Sequence, residues 1–260
     1  MQATLQGSDR KTFGDAIAAS LRRTAIAAAA SGVAGVLVGG LGSRLVMRIA
    51  ALAAPEARGL LTENGNVIGE VTLAGTVALL VVGGIGSAIV GAGAIVVFDP
   101  WLPRRTVARG LVLGGFLLAF GGSIVIDAAN PDFVVLGHRM LTVVLFAALF
   151  PAFGLVASGS AAWLDRRIPP ATSFSLRQWA LTMIVGLPVI PGVIGVALAV
   201  APGYGLALVG ARVAVAVARA LQRRGRAPTA RVLFGIATGA AALVLAMTGA
   251  AVLRNAGTIL

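Results

Sequence analysis

Seven long apolar runs, separated by short polar or arginine-rich stretches, make up most of the chain. Each has close to or more than the roughly 20 apolar residues that a helix needs to cross the hydrocarbon core of a bilayer. The runs cover residues 24–54, 71–98, 107–126, 140–163, 179–200, 203–221 and 232–253. The pattern predicts an all-α fold: one polytopic transmembrane helix bundle of seven spans, forming a single domain over residues 1–260.

The fifth and sixth runs depart from a plain apolar helix. Pro188 and Pro191 lie inside the fifth run. Proline lacks a backbone N–H and clashes with the preceding turn, so we expect this helix to be kinked or broken. Arg212 lies near the middle of the sixth run. The alternative for this run is a helix on the membrane surface over residues 205–223, which leaves six spans.

The composition favours a membrane protein. Of the 260 residues, 58% are hydrophobic and 12% are charged, with a mean hydropathy of +0.96, whereas about a quarter of a typical soluble chain is charged. The net charge of +12 does not indicate a nucleic-acid partner, because the arginines stand in short clusters between apolar runs. Residues 1–22 are predicted to be a cytoplasmic tail, in which residues 13–21 form either a short amphipathic surface helix or a solvated segment.

The distribution of basic residues predicts the orientation of the bundle. If the amino terminus is inside, fifteen basic residues fall on the inner side and five on the outer side. Basic loops stay in the cytoplasm, so we expect an inside amino terminus and an outside carboxyl terminus in a bacterial cytoplasmic membrane. The five outer arginines are Arg44, Arg48, Arg58, Arg139 and Arg254.

A polar cluster is predicted at the outer side. Arg44 and Arg48 are four residues apart and therefore share one face of the first helix. The outer loops supply further polar side chains, namely Glu63, Glu70, Asp127, Asp132, His138 and Arg139. Two interpretations remain open: a structural network of ion pairs, or an outward-facing pocket whose guanidinium groups bind a carboxylate, a phosphate or a lipid headgroup.

Arg212 is the third candidate for ligand binding. Counted from Tyr204 at 1.5 Å per residue, it lies about 12 Å along the sixth helix, close to the bilayer midplane. An arginine at that depth costs roughly 2.5–3.5 kcal/mol on insertion scales, so it should face the bundle or water. We expect its partner to be a carbonyl freed by Pro188 or Pro191, water, or an anionic ligand.

Several chemistries lack the residues that they require. The chain has no cysteine, and one histidine is a weak ligand set for zinc, so no metal or cofactor is predicted. The turn at Ser158 resembles the serine region of rhomboid proteases, but no histidine follows it to act as a base. Lys11 is in the tail and cannot hold retinal, and no phosphate-binding glycine loop is present. We therefore expect no enzymatic activity.

Pairs of glycines four residues apart predict close helix packing. They are Gly35 with Gly39, Gly110 with Gly114, and Gly235 with Gly239. Such pairs let helix backbones approach each other in lipid, either within one bundle or between copies of the chain in a homo-oligomer.

The first loop carries one resemblance to known proteins. It rests on Pro55-Glu56-Ala57-Arg58-Gly59, Leu61-Thr62-Glu63 and Ile68-Gly69-Glu70-Val71-Thr72-Leu73-Ala74-Gly75-Thr76. This stretch resembles uncharacterised polytopic integral membrane proteins of high-GC bacteria. The resemblance implies a bacterial membrane protein and no known function.

Two functions are compatible with these features. The first is binding or transport of a small anionic solute or lipid, with Arg44, Arg48 and Arg212 as contacts. The second is a non-catalytic membrane subunit or scaffold in which the arginines pair internally. The short loops offer little surface to soluble partners, which favours the first function over the second.

Overall fold

The computed structural model describes residues 2–57, 59–60, 72–126, 138–171, 174–198 and 202–260, with the side chains of residues 2–13, Ile124 and Pro202 outside that description. Over these ranges the chain is helical and contains no strand. Seven of its helices are long and apolar enough to cross a membrane, and the sixth, Gly203–Arg223, is one of them. The predicted all-α bundle of seven spans is confirmed.

The seven spans are labelled α1 to α7. The first two contain a π-helical stretch: α1 combines Gln2–Ala34, the π-helix Gly35–Gly42 and Ser43–Ala53, while α2 combines Leu73–Leu79, the π-helix Leu80–Gly86 and Ser87–Phe98. The others are α3 (Thr106–Val125), α4 (Arg139–Arg167), α5 (Leu176–Gly186 with Val189–Leu198), α6 (Pro202–Arg223) and α7 (Ala227–Ile259). Short 3-10 turns, Pro55–Ala57 and Asp99–Trp101, follow α1 and α2. Because α1 begins at Gln2, the predicted amino-terminal tail is helical and continuous with the first span.

The two ends of the bundle differ in charge. We call the end at which α2 and α4 finish and α3 begins the basic end, since it carries Arg22, Arg23, Arg104, Arg109 and Arg166. The other end, where α1 and α3 finish, is called the opposite end.

The predicted break in α5 lies at Leu187–Pro188. Pro188 has no N–H for the carbonyl of Ile184, and that carbonyl accepts the N–H of Leu187 at 3.3 Å. Pro191 likewise has none for the carbonyl of Leu187, which accepts the N–H of Ile190 at 3.1 Å. The tighter turn at the break therefore satisfies both carbonyls from within α5, and neither is left for another side chain.

Two of the three predicted glycine pairs pack helices together. A Cβ at Gly39 would overlap Ser87 and the carbonyl of Gly83, so the glycines bring the π-helices of α1 and α2 into backbone contact. A Cβ at Gly110 would lie 2.7 Å from the Cα of Leu155, and one at Gly114 would overlap Pro151, both in α4. The third pair, Gly235 and Gly239, has open space around it. The homo-oligomer therefore stays a prediction that depends on α7 alone.

Side chains from neighbouring helices cap three helix ends. Arg22 donates to the carbonyls of Asp165, Ile168 and Pro169 at the end of α4, at 2.7–2.9 Å, and its Nη1 lies 2.6 Å from Asp165 Oδ1. At the opposite end, Asn255 donates to the carbonyls of Ser123 and Ile126 at the end of α3, and Arg139 donates to the carbonyl of Ile259. These contacts satisfy carbonyls that a helix end leaves without an intrahelical donor.

The apolar core anchors the end of α2. Phe98 is fully buried, with its ring centroid 4.8 Å from that of Phe116 on α3 and 6.4 Å from that of Phe120. Burying an aromatic ring of this size is worth about 1.5–3 kcal/mol. Because Phe98 holds the last turn of α2 in the core, the residue that follows, Asp99, is placed at a fixed position on the basic end.

The contact between α3 and α4 gives a first testable prediction. Gly114→Ala should lower the melting temperature of the detergent-solubilised protein, since the added methyl group overlaps Pro151 and overpacking costs about 1–3 kcal/mol. Gly115→Ala is the matched control on the next residue, where a Cβ meets open space, and it should leave the melting temperature unchanged or raise it. Equal melting temperatures for the two variants would contradict the close packing of α3 on α4.

The cap on α4 gives a second. Arg22→Ala should lower the stability by about 1.5–3 kcal/mol, the range for hydrogen bonds to a charged group, because three carbonyls lose their donor. Asp165→Asn should cost less than about 1 kcal/mol, since this carboxylate is 63% exposed and the carbonyl bonds remain. Thermal melting in detergent measures both, and a larger loss for Asp165→Asn than for Arg22→Ala would contradict the capping role.

Candidate functional site

A cavity of about 480 Å³ opens among the helices at the basic end. Its polar and charged lining comes from α1, α3, α4, α6 and the loop after α2, namely Ser20, Arg23, Thr24, Asp99, Arg104, Thr106, Arg109, Ser158, Asp165 and Arg212. Asp165 and Ser158 are seven residues apart on α4, so the lining extends about 10 Å along the helix. Isoleucine, valine and alanine side chains complete the wall.

Arg212 is held at the inner part of this cavity by α2. Its Nε donates to the carbonyl of Val96 at 3.0 Å. In an uninterrupted helix that carbonyl would accept the N–H of the residue four positions later, which here is Pro100 and has none. The guanidinium thus takes the place of the missing backbone donor. In the described part of the chain this is the hydrogen bond that Arg212 makes, so its Nη1 and Nη2 groups have no hydrogen-bond partner there, and the residue lines the cavity.

This geometry corrects one expectation for Arg212. The freed carbonyl belongs to α2 and results from Pro100, whereas Pro188 and Pro191 were expected to supply it. Asp99, the residue after α2, lines the same cavity as Arg212. The reason is the length of the arginine side chain, which extends from the middle of α6 to the end of α2.

Asp99 interacts with two arginines, Arg109 at close range and Arg212 at longer range. Its Oδ1 lies 2.7 Å from Nη2 of Arg109, and both side chains are partly exposed, at 35% and 28%. Arg109 is ten residues further along the chain, on the first turn of α3, so the pair bridges the loop between α2 and α3. Asp99 therefore compensates Arg109 first, and it offers Arg212 a charge at longer range.

Positive charge is in excess in the cavity. Four arginines line it against two aspartates. Asp99 is paired with Arg109, and Asp165 is paired with Arg22, which is outside the lining. Within the described ranges, Arg23 and Arg104 have no acidic partner. Arg219, which is outside the lining, and Arg23 both add electrostatic repulsion at Arg212. An anion in the cavity would relieve this repulsion.

Ser158 is a residue that the sequence interpretation set aside. It is 2% exposed, it lines the cavity, and its hydroxyl has no hydrogen-bond partner. A buried hydroxyl without a partner costs about 1–3 kcal/mol, so such groups commonly mark a place where water or a ligand binds. A serine within an apolar helix was the available signal, but only the tertiary packing shows which serine lines the cavity.

The predicted outer residues are not brought to this cavity. Arg44 and Arg48 lie on the last part of α1, towards the opposite end. His138 precedes α4, where its carbonyl accepts the N–H of Thr142, and Arg139 begins α4. The predicted acidic partners Glu63, Glu70, Asp127 and Asp132 lie outside the described residues. Their pairing with the arginines stays a prediction.

Comparisons with models of protein families, with curated proteins and with solved structures gave no match to this chain. Among the residues searched, which are those that the structure describes, no group of three His, Cys, Asp or Glu side chains is placed to hold a metal ion. The resemblance to membrane proteins of high-GC bacteria stays an expectation. The arginine-lined cavity is therefore the feature that bears on function.

Proposed function

We propose that this protein binds a small anion, either a free solute or the headgroup of a lipid, in the cavity at the basic end, and that binding is a step in its transport. Arg212 is the principal contact. The observation that carries the proposal is the excess of guanidinium groups around one partly apolar cavity: Arg23, Arg104 and Arg212 line it without an ion-pair partner among the described residues. Arg23 and Arg104 are exposed, whereas Arg212 is partly buried. Charge attraction to Arg212 is therefore stronger than in water, because its surroundings have a lower dielectric constant.

The position of Arg212 supports binding as well as structure. Its bond to Val96 fixes the side chain, and the two remaining nitrogen groups are left for a ligand in the fork arrangement that matches carboxylate and phosphate oxygens. A guanidinium needed only to replace the missing N–H of Pro100 would have no reason to border a cavity with other arginines.

The basic end is proposed to face the cytoplasm of a bacterial cell. The argument is the excess of arginine in its loops, since such loops remain on the cytoplasmic side. With seven spans, the carboxyl terminus is then outside, and the cavity receives its ligand from the cytoplasm or from the inner leaflet. Arg44 and Arg48 would lie near the outer surface.

A second function is favoured by the internal contacts of other arginines. Arg22, Arg109 and Arg139 each bind a carboxylate or a carbonyl within the chain. In a membrane subunit or scaffold, the remaining arginines would also serve structure and no anion would bind.

The binding role of Arg212 gives a direct test. Arg212→Gln should weaken anion binding about tenfold or more, since it removes a charge-assisted hydrogen bond worth about 1.5–3 kcal/mol. The measurement is the rise in melting temperature of the purified protein with increasing phosphate, sulfate or acetate. Arg223→Gln is the matched control: this arginine is on α6, is exposed and is not part of the lining. A normal anion response in Arg212→Gln would refute the role of Arg212, and no response to any anion or anionic lipid in the unaltered protein would favour the scaffold.

The orientation is tested with single cysteines, because the chain has none of its own. Arg224→Cys lies at the basic end and Leu260→Cys at the opposite end, and both residues are exposed. A membrane-impermeant maleimide should label Leu260→Cys in intact bacterial cells and Arg224→Cys only after permeabilisation. The reverse pattern would show that the cavity opens to the outside.

A further inference from the structure

We infer that the anion is a phosphate with an acidic O–H group, either inorganic phosphate or a phosphate monoester, and that Ser158 contacts it at the inner end of the cavity. The inference rests on the anion-binding function proposed above. It adds the class of ligand and one specificity-determining residue.

Hydrogen-bond donors reach the cavity from three different elements. Arg23 comes from α1, Arg104 from the loop after α2, and Arg212 from α6. A carboxylate has about four acceptor sites, all in one plane, so it suits donors that approach within that plane. A phosphate group has oxygens in a tetrahedral arrangement and can accept from several sides at once.

Ser158 supplies a hydroxyl that has no hydrogen-bond partner. Ser158 belongs to α4, which carries none of these three arginines. It lies about 10 Å deeper than Asp165 along the helix axis. Its buried oxygen has no partner within the chain. A phosphate oxygen at this depth would accept the hydroxyl proton and remove the cost of leaving it unpaired.

The carboxylate of Asp99 lies among the arginines of the cavity. Asp99 uses Oδ1 for Arg109, and the described contacts leave Oδ2 without a hydrogen bond. A carboxylate repels a fully deprotonated anion such as sulfate. It accepts a hydrogen bond from the O–H of monohydrogen phosphate or of a protonated monoester, so Asp99 would select against sulfate.

The test uses the purified full-length protein and four probes: inorganic phosphate, sulfate, acetate, and phosphatidic acid in nanodiscs of otherwise neutral lipid. Binding is measured by calorimetry for the soluble anions and by thermal shift for all four. We expect phosphate or phosphatidic acid to bind at least about tenfold more tightly than sulfate or acetate, since one unpaired buried group accounts for about that ratio.

Ser158→Ala should weaken phosphate binding about tenfold, the ratio for a hydrogen bond to a charged group. Ser31→Ala is the matched control, because Ser31 is equally buried and its hydroxyl is equally unpaired, but it does not line the cavity. Both variants should fold, and only Ser158→Ala should change the affinity. Equal phosphate affinities in the two variants would overturn the role of Ser158.

The outcomes separate the two proposals. Tighter binding of phosphatidic acid than of inorganic phosphate identifies a lipid headgroup as the source, and comparable or tighter binding of inorganic phosphate identifies a free solute. Sulfate or acetate bound as tightly as both would overturn the phosphate inference and leave anion binding standing. No binding of any probe, with identical results for Arg212→Gln, would overturn both.

Discussion

Carbonyl groups without a backbone donor are the constraint on which this bundle depends. Lipid offers no hydrogen-bond donor, so each carbonyl at a helix end or before a proline needs a partner from the protein or from water. The structure meets this need with side chains of other helices: Arg22 at the end of α4, Asn255 at the end of α3, and Arg212 at the carbonyl that Pro100 leaves unpaired. The same contacts hold helices that are far apart in sequence in a fixed arrangement.

Close packing of small residues determines where the bundle is sealed and where it is open. Gly91 lies against Phe153, and Gly93 against Gly192, with no room for a Cβ at either position. The backbone of α2 thus packs closely on α5, and the Phe153 ring of α4 reaches α2. Towards the basic end, larger polar side chains replace the glycines and the helices enclose a cavity. Apolar packing thus forms the floor of the cavity, and charged residues form its rim.

The cavity combines groups that have structural and binding roles. Arg109 and Arg22 are compensated by acids, so their charges add little attraction for a ligand. Arg23 and Arg104 keep their charge uncompensated by any described acid, and Arg212 is fixed by one bond. Like charges around one cavity repel each other, so they contribute nothing to the stability of the fold. This arrangement is the physical basis for assigning the cavity to an anion.

The sequence by itself determined the class of fold, because seven apolar runs of sufficient length have no soluble alternative. It also determined the break in α5, since proline lacks an N–H in any context, and it singled out Arg212 from the cost of a charge in the middle of an apolar helix.

The sequence did not determine which groups these residues contact. The sequence placed Arg212 near Pro188 and Pro191, but those carbonyls are satisfied by their own helix, and the carbonyl that Arg212 binds is 116 positions away. Which glycines face a neighbour, and which serine lines a cavity, depend on the rotation of each helix about its axis. Lipid and protein are similarly apolar around such helices, so hydrophobic periodicity does not encode that rotation, and only the tertiary contacts decide it.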